Sequence, residues 1–556
     1  MPAREVFDYV IIGAGSAGCV LADRLSRDGN ARVLVLEAGP PDHRWAWQLH
    51  MPAALAHPLA NDRYNWFYHS EPEPHMDGRR MYCPRGRVLG GSSSINGMAY
   101  VRGHARDYDR WAQGGLAGWR YADLLPYFKR AETREIGADD YRGGEGPLHV
   151  STGACLNPLY QAFIEAGVQA GYPFTADMNG FQQEGVGPMD MTTRAGSRWS
   201  TASAYLRPAM RRPNLAVRTR ALSLRIRFEG RRAAGIDYAQ GGQTRHVMAE
   251  REVILCGGAI NSPQLLMLSG IGDADQLSRL DIPVTADLPG VGQNLQDHVE
   301  IYVQHACTQP ISLYSAQKPW NKLWIGLGWI LFRRGLGATS HFEAGGFIRS
   351  RPGVEHPDLQ YHFLPIAMNY DGTNPAQTHG FQAHVGPMRP TSVGRIALAS
   401  SDPRKAPSIL FNYMATEGDR EETRAAVRLT REIFSQKAFD PYRGAELAPG
   451  PEVQSDTEID AFVRANGESA YHPCGTCKMG TDSDLMAVVD GATRVRGVER
   501  LRVVDASIMP SIVSGNLNAP TIMLAEKAAD LIAGRPPLPP EQVPVYIAPD
   551  WETRQR

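Results

Sequence analysis

FDYVIIGAGSAG, residues 7–18, decides the fold. The apolar run that opens it reads as a buried strand, and the glycines that follow punctuate it with a tight turn. Gly13, Gly15 and Gly18 stand in a G-x-G-x-x-G spacing, and an Ala-, Leu- and Arg-rich stretch up to Asp28 reads as the next helix. Each glycine has a physical use. Gly13 permits the turn, Gly15 lets backbone approach a pyrophosphate, and Gly18 lets helix and strand lie close, with the helix N-terminus facing the phosphates. A second strand, ARVLVLEAG at 31–39, carries Glu37 nineteen residues beyond Gly18. A carboxylate there accepts hydrogen bonds from an adenosine ribose and disfavours a 2′-phosphate. The reading is a Rossmann-like dinucleotide domain for FAD or NAD rather than NADP.

Working outward, β-like runs recur as NLAVRT, LSLRIRF and AAGIDY within 214–237 and as REVILCGGA at 251–259. LRVVDAS at 501–507 precedes the helical TIMLAEKAADLIAG at 521–534. The stretches between have mixed patterns, many prolines and no glycine fingerprint. The chain is expected to be α/β, α+β overall, with a discontinuous cofactor domain of residues 1–155, 212–305 and 465–537. A substrate domain is built from 156–211 and 306–464, and the Pro-rich tail at 538–556 extends over the surface.

The 556 residues suggest two to four lobes at about 150 residues each. Lys and Arg number 58 against 59 Asp and Glu, a net charge of −1, which argues against nucleic-acid partners. Seven cysteines are too few for a secreted disulfide scaffold. The N-terminal apolar run leads straight into the glycine motif without a small-residue cleavage site, so it reads as a strand and not a signal peptide. The strongest membrane candidate, LWIGLGWILF at 323–332, is too short to span. Flanked by Lys318, Lys322, Arg333 and Arg334, it reads as a core or lid helix, with an interfacial helix as the alternative.

Four further blocks lie in order along the chain: GRVLGGSSSINGMAYVRG at 86–103, GAINSPQLLMLSGIG at 258–272 with LPGVGQNLQDH at 288–298, ESAYHPCGTCKMG at 468–480, and LRVVDASIMPSIVSGNLNAPT at 501–521. Together they resemble the glucose–methanol–choline (GMC) oxidoreductases. YNWFYHSEPEP, HFEAGGFIRS and FNYM are most similar to the choline-oxidising bacterial members. The resemblance implies FAD, a six-stranded antiparallel sheet in the substrate domain, and oxidation of an alcohol. Gly90, Gly91 and Ser92 then form a small-residue loop for close approach to phosphate or flavin edge. Asn96 hydrogen-bonds the isoalloxazine, while Asp505 and Asn518 hold the ribityl, pyrophosphate and ring. Ile95 stands where some relatives carry a flavin-linked His, so FAD is expected to be non-covalent.

His472, in Tyr-His-Pro, matches the family's base, and Asn516 matches its second active-site position. Alcohol oxidation removes a hydroxyl proton and a hydride from carbon. A neutral imidazole can take the proton, an amide N–H can stabilise the oxygen, and the flavin takes the hydride. CGTC at 474–477 admits a redox pair or half a zinc site. The second pair is missing and the haem order is wrong, so packing residues are the expectation and no metal is called for.

A choline-like substrate offers a quaternary ammonium, which asks for aromatic faces and a carboxylate. Glu343 resembles the family position facing the cation, with Trp66 and Tyr471 as cage walls, and Glu343→Gln should raise KM for choline. Oxidation yields betaine aldehyde, whose hydrate carries the same groups on to glycine betaine. The alternatives are a GMC dehydrogenase for uncharged aliphatic or aromatic alcohols and a non-catalytic flavin-binding protein. Electrons go to oxygen or to a quinone of the respiratory chain. The location expected is cytoplasmic, with peripheral contact at the inner face of the membrane.

Overall fold

The strand read at the start of the chain is Val6–Ile12, and its last four residues are all buried. Val33–Leu36, buried throughout, runs parallel to it, and Leu215–Arg218 runs parallel to that. On the other side lies Gln243–Leu255, parallel to Val6–Ile12 over its whole length. That long strand changes partner along its far edge. Its first half pairs antiparallel with Arg232–Gln240, itself in a hairpin with Leu222–Glu229, and its last three residues pair parallel with Leu501–Val503. The continuous Val/Ile/Leu runs are what a parallel sheet covered on both faces requires. Helices Ser16–Ser26 and Asn518–Ala533 pack together against it, the latter buried at almost every position. The computed structural model describes residues 5–368 and 378–556. Residues 1–4 of the expected cofactor domain and 369–377 of the expected substrate domain lie outside the described residues.

The second sheet is antiparallel throughout. Its order is Arg443–Ala448, Val299–Cys307, Gly380–Pro387, Leu359–Leu364, Ala344–Ile348 and Gly185–Pro188, with the two-residue Glu468–Ser469 added to Val299–Cys307. Three central strands are buried on both faces. One face is covered by helices Pro158–Gln169 and Glu417–Phe434, against which Phe363, Phe381 and Phe434 form an aromatic cluster with ring centroids 5.2–6.3 Å apart. With side chains alternating along a strand, the opposite face collects Glu300, Tyr302, Gln360, His362, Gln382 and His384, paired by register as Tyr302–His384 and His362–His384.

The strand Val299–Cys307 lies in the expected 212–305 cofactor segment except for its last two residues, yet its hydrogen bonds belong to the antiparallel sheet. The tail lacks helix and strand and is pinned by side chains, such as Lys129 to Glu541 at 2.6 Å and Tyr141 to the Pro544 carbonyl at 2.8 Å. One expectation is corrected. The 323–332 stretch is a helix, Pro319–Phe332, but it is not core, because Trp329 alone within it is buried.

Candidate active site

A cavity of about 420 Å³ begins at the carboxyl ends of three parallel strands, at Ile12, Leu36 and Leu255, and runs to His472 and Asn516. The carboxyl edge is where an open parallel sheet leaves a crevice. Gly13 has φ +100°, and a Cβ there would lie 2.5 Å from the Cys256 carbonyl oxygen. A Cβ on Gly18 would lie 1.9 Å from the Gly13 carbonyl oxygen, so helix and strand meet at glycine contact distance. The same holds between loops, since a Cβ on Gly91 would lie 2.6 Å from Gly15 Cα.

Three helix N-termini converge on this end through Ser16, Gly258 and Asn518, all lining the cavity. Aligned amides make such ends anion sites. The Ser16 hydroxyl donates to Asn518 Oδ1 at 2.7 Å, tying the first helix to the last. Glu37 accepts from the N–H groups of Ala14 and Gly39 at 2.9 and 2.8 Å, and burial pushes its carboxyl up to about 7. Asp505 is also raised by burial while accepting from Gly258 N–H, Ser262, and the hydroxyl and N–H of Ser507. A long ligand with a diphosphate in its middle fits this cradle, because the backbone approaches closely, amides point inward, and each carboxylate can accept more than it already does.

The far end is set by rings. His298 Nε2 lies 3.0 Å from the Met388 carbonyl oxygen, which fixes it as N–H. Its Nδ1 must then accept, and it does so from His472 Nδ1 at 3.0 Å. His472 Nε2 therefore carries a lone pair, 3.0 Å from Asn516 Nδ2, whose N–H donates to it. The backbone is held as firmly. His472 N–H donates to Asp297 Oδ1 at 2.6 Å, and Asp297 also accepts from Tyr413 and Ser469. Burial first, then His298, His362 and Arg85, holds the His472 imidazole well below the usual histidine range. It is thus a neutral base at ordinary pH. Asn516 Oδ1 accepts from Gln360 at 3.0 Å, with the His362 ring 3.4 Å away. This orients the amide with its N–H groups toward His472.

Gly13, Gly15, Glu37, Trp66, Gly91, Ser92, Asn96, Tyr471, His472, Asp505, Asn516 and Asn518 all line the cavity, as does Ile95. Asn96 Oδ1 accepts from Arg198 at 2.8 Å, and Ser92 accepts from Gly86 N–H at 3.1 Å. Tyr471 sits at φ +63° with its carbonyl accepting from Arg85 at 2.6 Å, while Trp66 stacks on Tyr68 at 5.8 Å. Gly18 and Gly90 stand behind the lining as packing and turn positions.

Glu343 does not line the cavity. Its carboxylate accepts from Cys155 N–H and the Thr339 hydroxyl, both at 2.7 Å, and is absorbed in that buried turn. The carboxylate at the substrate end is Glu300, 6% exposed, with His384 Nδ1 3.2 Å from its Oε1 and the Phe342 ring edge-on to His384 at 6.0 Å. Sequence reading passed over Glu300, His298, Gln360, His362 and His384. The polar–apolar alternation in VEIYVQ, LQYHFL and GFQAHV was the available signal. Cys474 and Cys477 are fully buried free thiols outside the lining, pushed well up by burial, as packing residues are. Among the described residues, no group of three or more His, Cys, Asp or Glu is arranged to hold a metal ion.

Family models described as GMC oxidoreductase match residues 7–300 and 390–525. The chain is 61% identical to "Choline dehydrogenase, mitochondrial" of Mus musculus over 99% of its own length and 94% of that protein's. It is 58% identical to "Oxygen-dependent choline dehydrogenase 1" of Chromohalobacter salexigens, covering 100% of this chain and 99% of the other. Among solved structures, a formate oxidase of Aspergillus oryzae studied for its FAD modification superposes with TM-score 0.89 at 26% identity, covering 96% and 98% of the two chains. GMC oxidoreductases are FAD-binding flavoproteins, and a glycine cradle running to a neutral histidine beside an amide is the geometry such a cofactor needs. On both grounds, matched sequence and matching site, the chain belongs to the GMC oxidoreductase family.

Proposed function

We propose that this chain oxidises choline to betaine aldehyde, and the aldehyde's hydrate on to glycine betaine, using FAD held non-covalently. The observation that carries the choline reading is Glu300, a buried carboxylate on the same cavity as His472 and Asn516. The other lining carboxylates, Glu37 and Asp505, are engaged by backbone N–H groups at the nucleotide end. A quaternary ammonium cannot donate hydrogen bonds, so a close carboxylate and ring faces are what can recognise it. Phe342, Trp66 and Tyr471 line the same cavity and offer ring faces to such a cation. The names of the mouse and Chromohalobacter relatives point to the same substrate.

Once the substrate hydroxyl displaces the Asn516 contact, it donates to His472 Nε2 and accepts from Asn516 Nδ2. His472 takes the proton as general base and Asn516 stabilises the oxygen as charge builds, an effect worth about 10²–10³ in rate for a comparable donor. His298 holds the tautomer that keeps the Nε2 lone pair available. FAD, when bound, supplies the acceptor for the hydride leaving the carbon. Gly13, Gly15, Glu37, Gly91, Ser92, Asn96, Asp505 and Asn518 would hold it, Gly18 and Gly90 would shape its loops, and Ile95 offers no nucleophile for a covalent link. The hydrate of betaine aldehyde presents the same O–H and C–H to the same pair.

The reading includes a cofactor lobe of 1–155, 212–298 and 465–537, a substrate lobe of 156–211 and 299–464, and the tail at 538–556. The boundary is moved from 305 to 298 because Val299–Cys307 hydrogen-bonds within the antiparallel sheet. Oxygen is the acceptor favoured by the bacterial relative's name, with a respiratory quinone as the other candidate. A cytoplasmic location with peripheral membrane contact completes it. Anaerobic flavin bleaching with choline, betaine aldehyde, hexanol and benzyl alcohol tests it. Choline and betaine aldehyde should bleach at concentrations where the neutral alcohols do not. Equal bleaching by all four overturns the cation site, and bleaching by none overturns alcohol oxidation.

A further inference from the structure

Helix Pro319–Phe332 leaves its apolar side chains in water. Trp320 is 75% exposed, Trp324 70%, Leu331 68% and Phe332 68%, and Leu323, Leu327, Ile330 and Leu336 are exposed as well. The pattern is not random around the helix. Positions 320, 323, 324, 327 and 331 share one face at helical spacing, and the opposite face carries Ile325 and Trp329 inward. Those two pack on Met51 and Ala54, and Trp329 Nε1 donates to the Gly196 carbonyl at 2.7 Å, so the helix is anchored and its outer face is deliberate. Trp45 and Trp47 are exposed too, at 76% and 38%. Contiguous patches of this kind mark interaction sites.

Charge selects among partners. Residues 312–342 contain Lys318, Lys322, Arg333 and Arg334 and not one Asp or Glu, in a chain whose net charge is −1. All four cations are exposed, and none forms an ion pair among the described residues. Lys318 precedes the helix and Arg333 and Arg334 follow it, while Lys322 falls by helical spacing on the side of Trp329, away from Trp320 and Trp324, and the Arg333 guanidinium lies over the Trp329 ring at 3.6 Å. Fourteen residues span about 21 Å, short of the roughly 30 Å hydrocarbon core, and no helix of the described residues is long and apolar enough to cross a membrane. An apolar Trp-bearing face with Lys and Arg at the helix ends and on the opposite side suits a helix lying in the headgroup plane of an anionic bilayer.

We propose that Pro319–Phe332 is the membrane-docking element of this protein, inserting Trp320, Trp324, Leu327 and Leu331 into the interface of an anionic lipid surface while Lys318, Lys322, Arg333 and Arg334 contact the headgroups. This deepens the peripheral-contact reading above and is independent of which alcohol is oxidised. A second copy of the chain is the competing occupant. It is disfavoured because pairing two copies would bring together the cations at the helix ends, with no Asp or Glu in residues 312–342 to neutralise them.

The experiment is co-sedimentation of full-length FAD-loaded enzyme with vesicles of phosphatidylglycerol and phosphatidylcholine, and with phosphatidylcholine alone, alongside sizing without lipid. The wild type should partition to the anionic vesicles at least about tenfold better, and lose that preference as salt screens the charges. Trp320→Ser with Trp324→Ser and Leu327→Ser should lower partitioning by about tenfold or more. Lys318→Gln with Lys322→Gln and Arg334→Gln should remove the anionic preference. Both sets should keep wild-type flavin reduction by choline, which separates failure of docking from failure of the activity reading. No sedimentation of wild type, equal binding to both vesicles, or unchanged binding by the triple serine variant overturns the proposal. A dimer broken by the serine variant, without lipid binding, assigns the face to a second copy instead.

Discussion

The two ends of one cavity are held by different means. At the nucleotide end the contacts are backbone. Glycine meets glycine within a Cβ's width, Glu37 accepts from two backbone N–H groups, and Asp505 accepts from two N–H groups and two serine hydroxyls of adjacent turns. At the substrate end the contacts run mostly from side chain to side chain, anchored on the Met388 backbone carbonyl. Met388, His298, His472, Asn516 and Gln360 form a single chain of hydrogen bonds drawn from five separate segments. The first end binds a constant partner and tolerates little change. The second is where a family can alter its substrate while keeping the cradle. If this contrast holds, variants at the substrate end change turnover or KM and leave FAD content untouched.

The largest effect expected is from His472→Ala. It should lower the rate of flavin reduction by about 10² or more while the purified protein keeps its flavin. Flavin loss in that variant would erase the separation between the two ends. Glu300→Gln removes the charge but preserves shape. It should raise KM for choline by about 10–30-fold, the worth of a close ion pair with a desolvated cation, and leave neutral alcohols within about twofold. Equal effects on charged and neutral substrates would reject the cation site. Gln360→Leu frees the Asn516 amide to rotate. A fall in kcat of about tenfold with KM little changed marks Gln360 as a positioning residue, whereas a loss confined to stability would not.

A pH profile sharpens the same comparison. His472 acts as neutral imidazole, and its pKa is lowered first by burial and then by His298, His362 and Arg85, beside which a second positive charge is disfavoured. Activity should persist as pH drops below 6.5 and fall only as pH passes through the lowered value. An acid limb of kcat/KM at or above 6.5 would contradict the relay. The smallest effect is expected from Glu343→Gln. The sequence expectation was a strong rise in KM, but a carboxylate bonded to Cys155 N–H and Thr339 should shift stability by about 1 kcal/mol and KM for choline hardly at all.

The nucleotide end was legible because its signals are local. A strand, a glycine turn, a helix and an acidic strand end lie within residues 6–37, and spacing alone fixes their geometry. His472 and Asn516 were legible through motifs that match a family. Glu343 failed for a different reason. A side chain's direction at a strand entrance depends on the turn it meets, and here residues 153–155 capture it. Glu300 lies two residues past the end of LPGVGQNLQDH, on a strand whose register with Gly380–Pro387 brings it beside His384. No local pattern reveals which two strands will pair. Period-two alternation of Gln and His in three apolar strands marks a polar face inside a core, and it is the clue to weigh in comparable sequences. Likewise, apolar content alone made 323–332 look like core, when burial was decided by what lay opposite Trp329.

The pairing of Val253 with Leu501 has a consequence for synthesis. The last strand of the nucleotide sheet is translated 248 residues after its neighbour, and the helix that carries Asn518 later still. At roughly 5–20 residues per second the ribosome needs on the order of 12–50 s to deliver that strand. Throughout that interval the edge of Gln243–Leu255 lies open next to a half-built binding site. The cradle built on Ser16, Gly258 and Asn518 is therefore complete only once the C-terminal helix has been made.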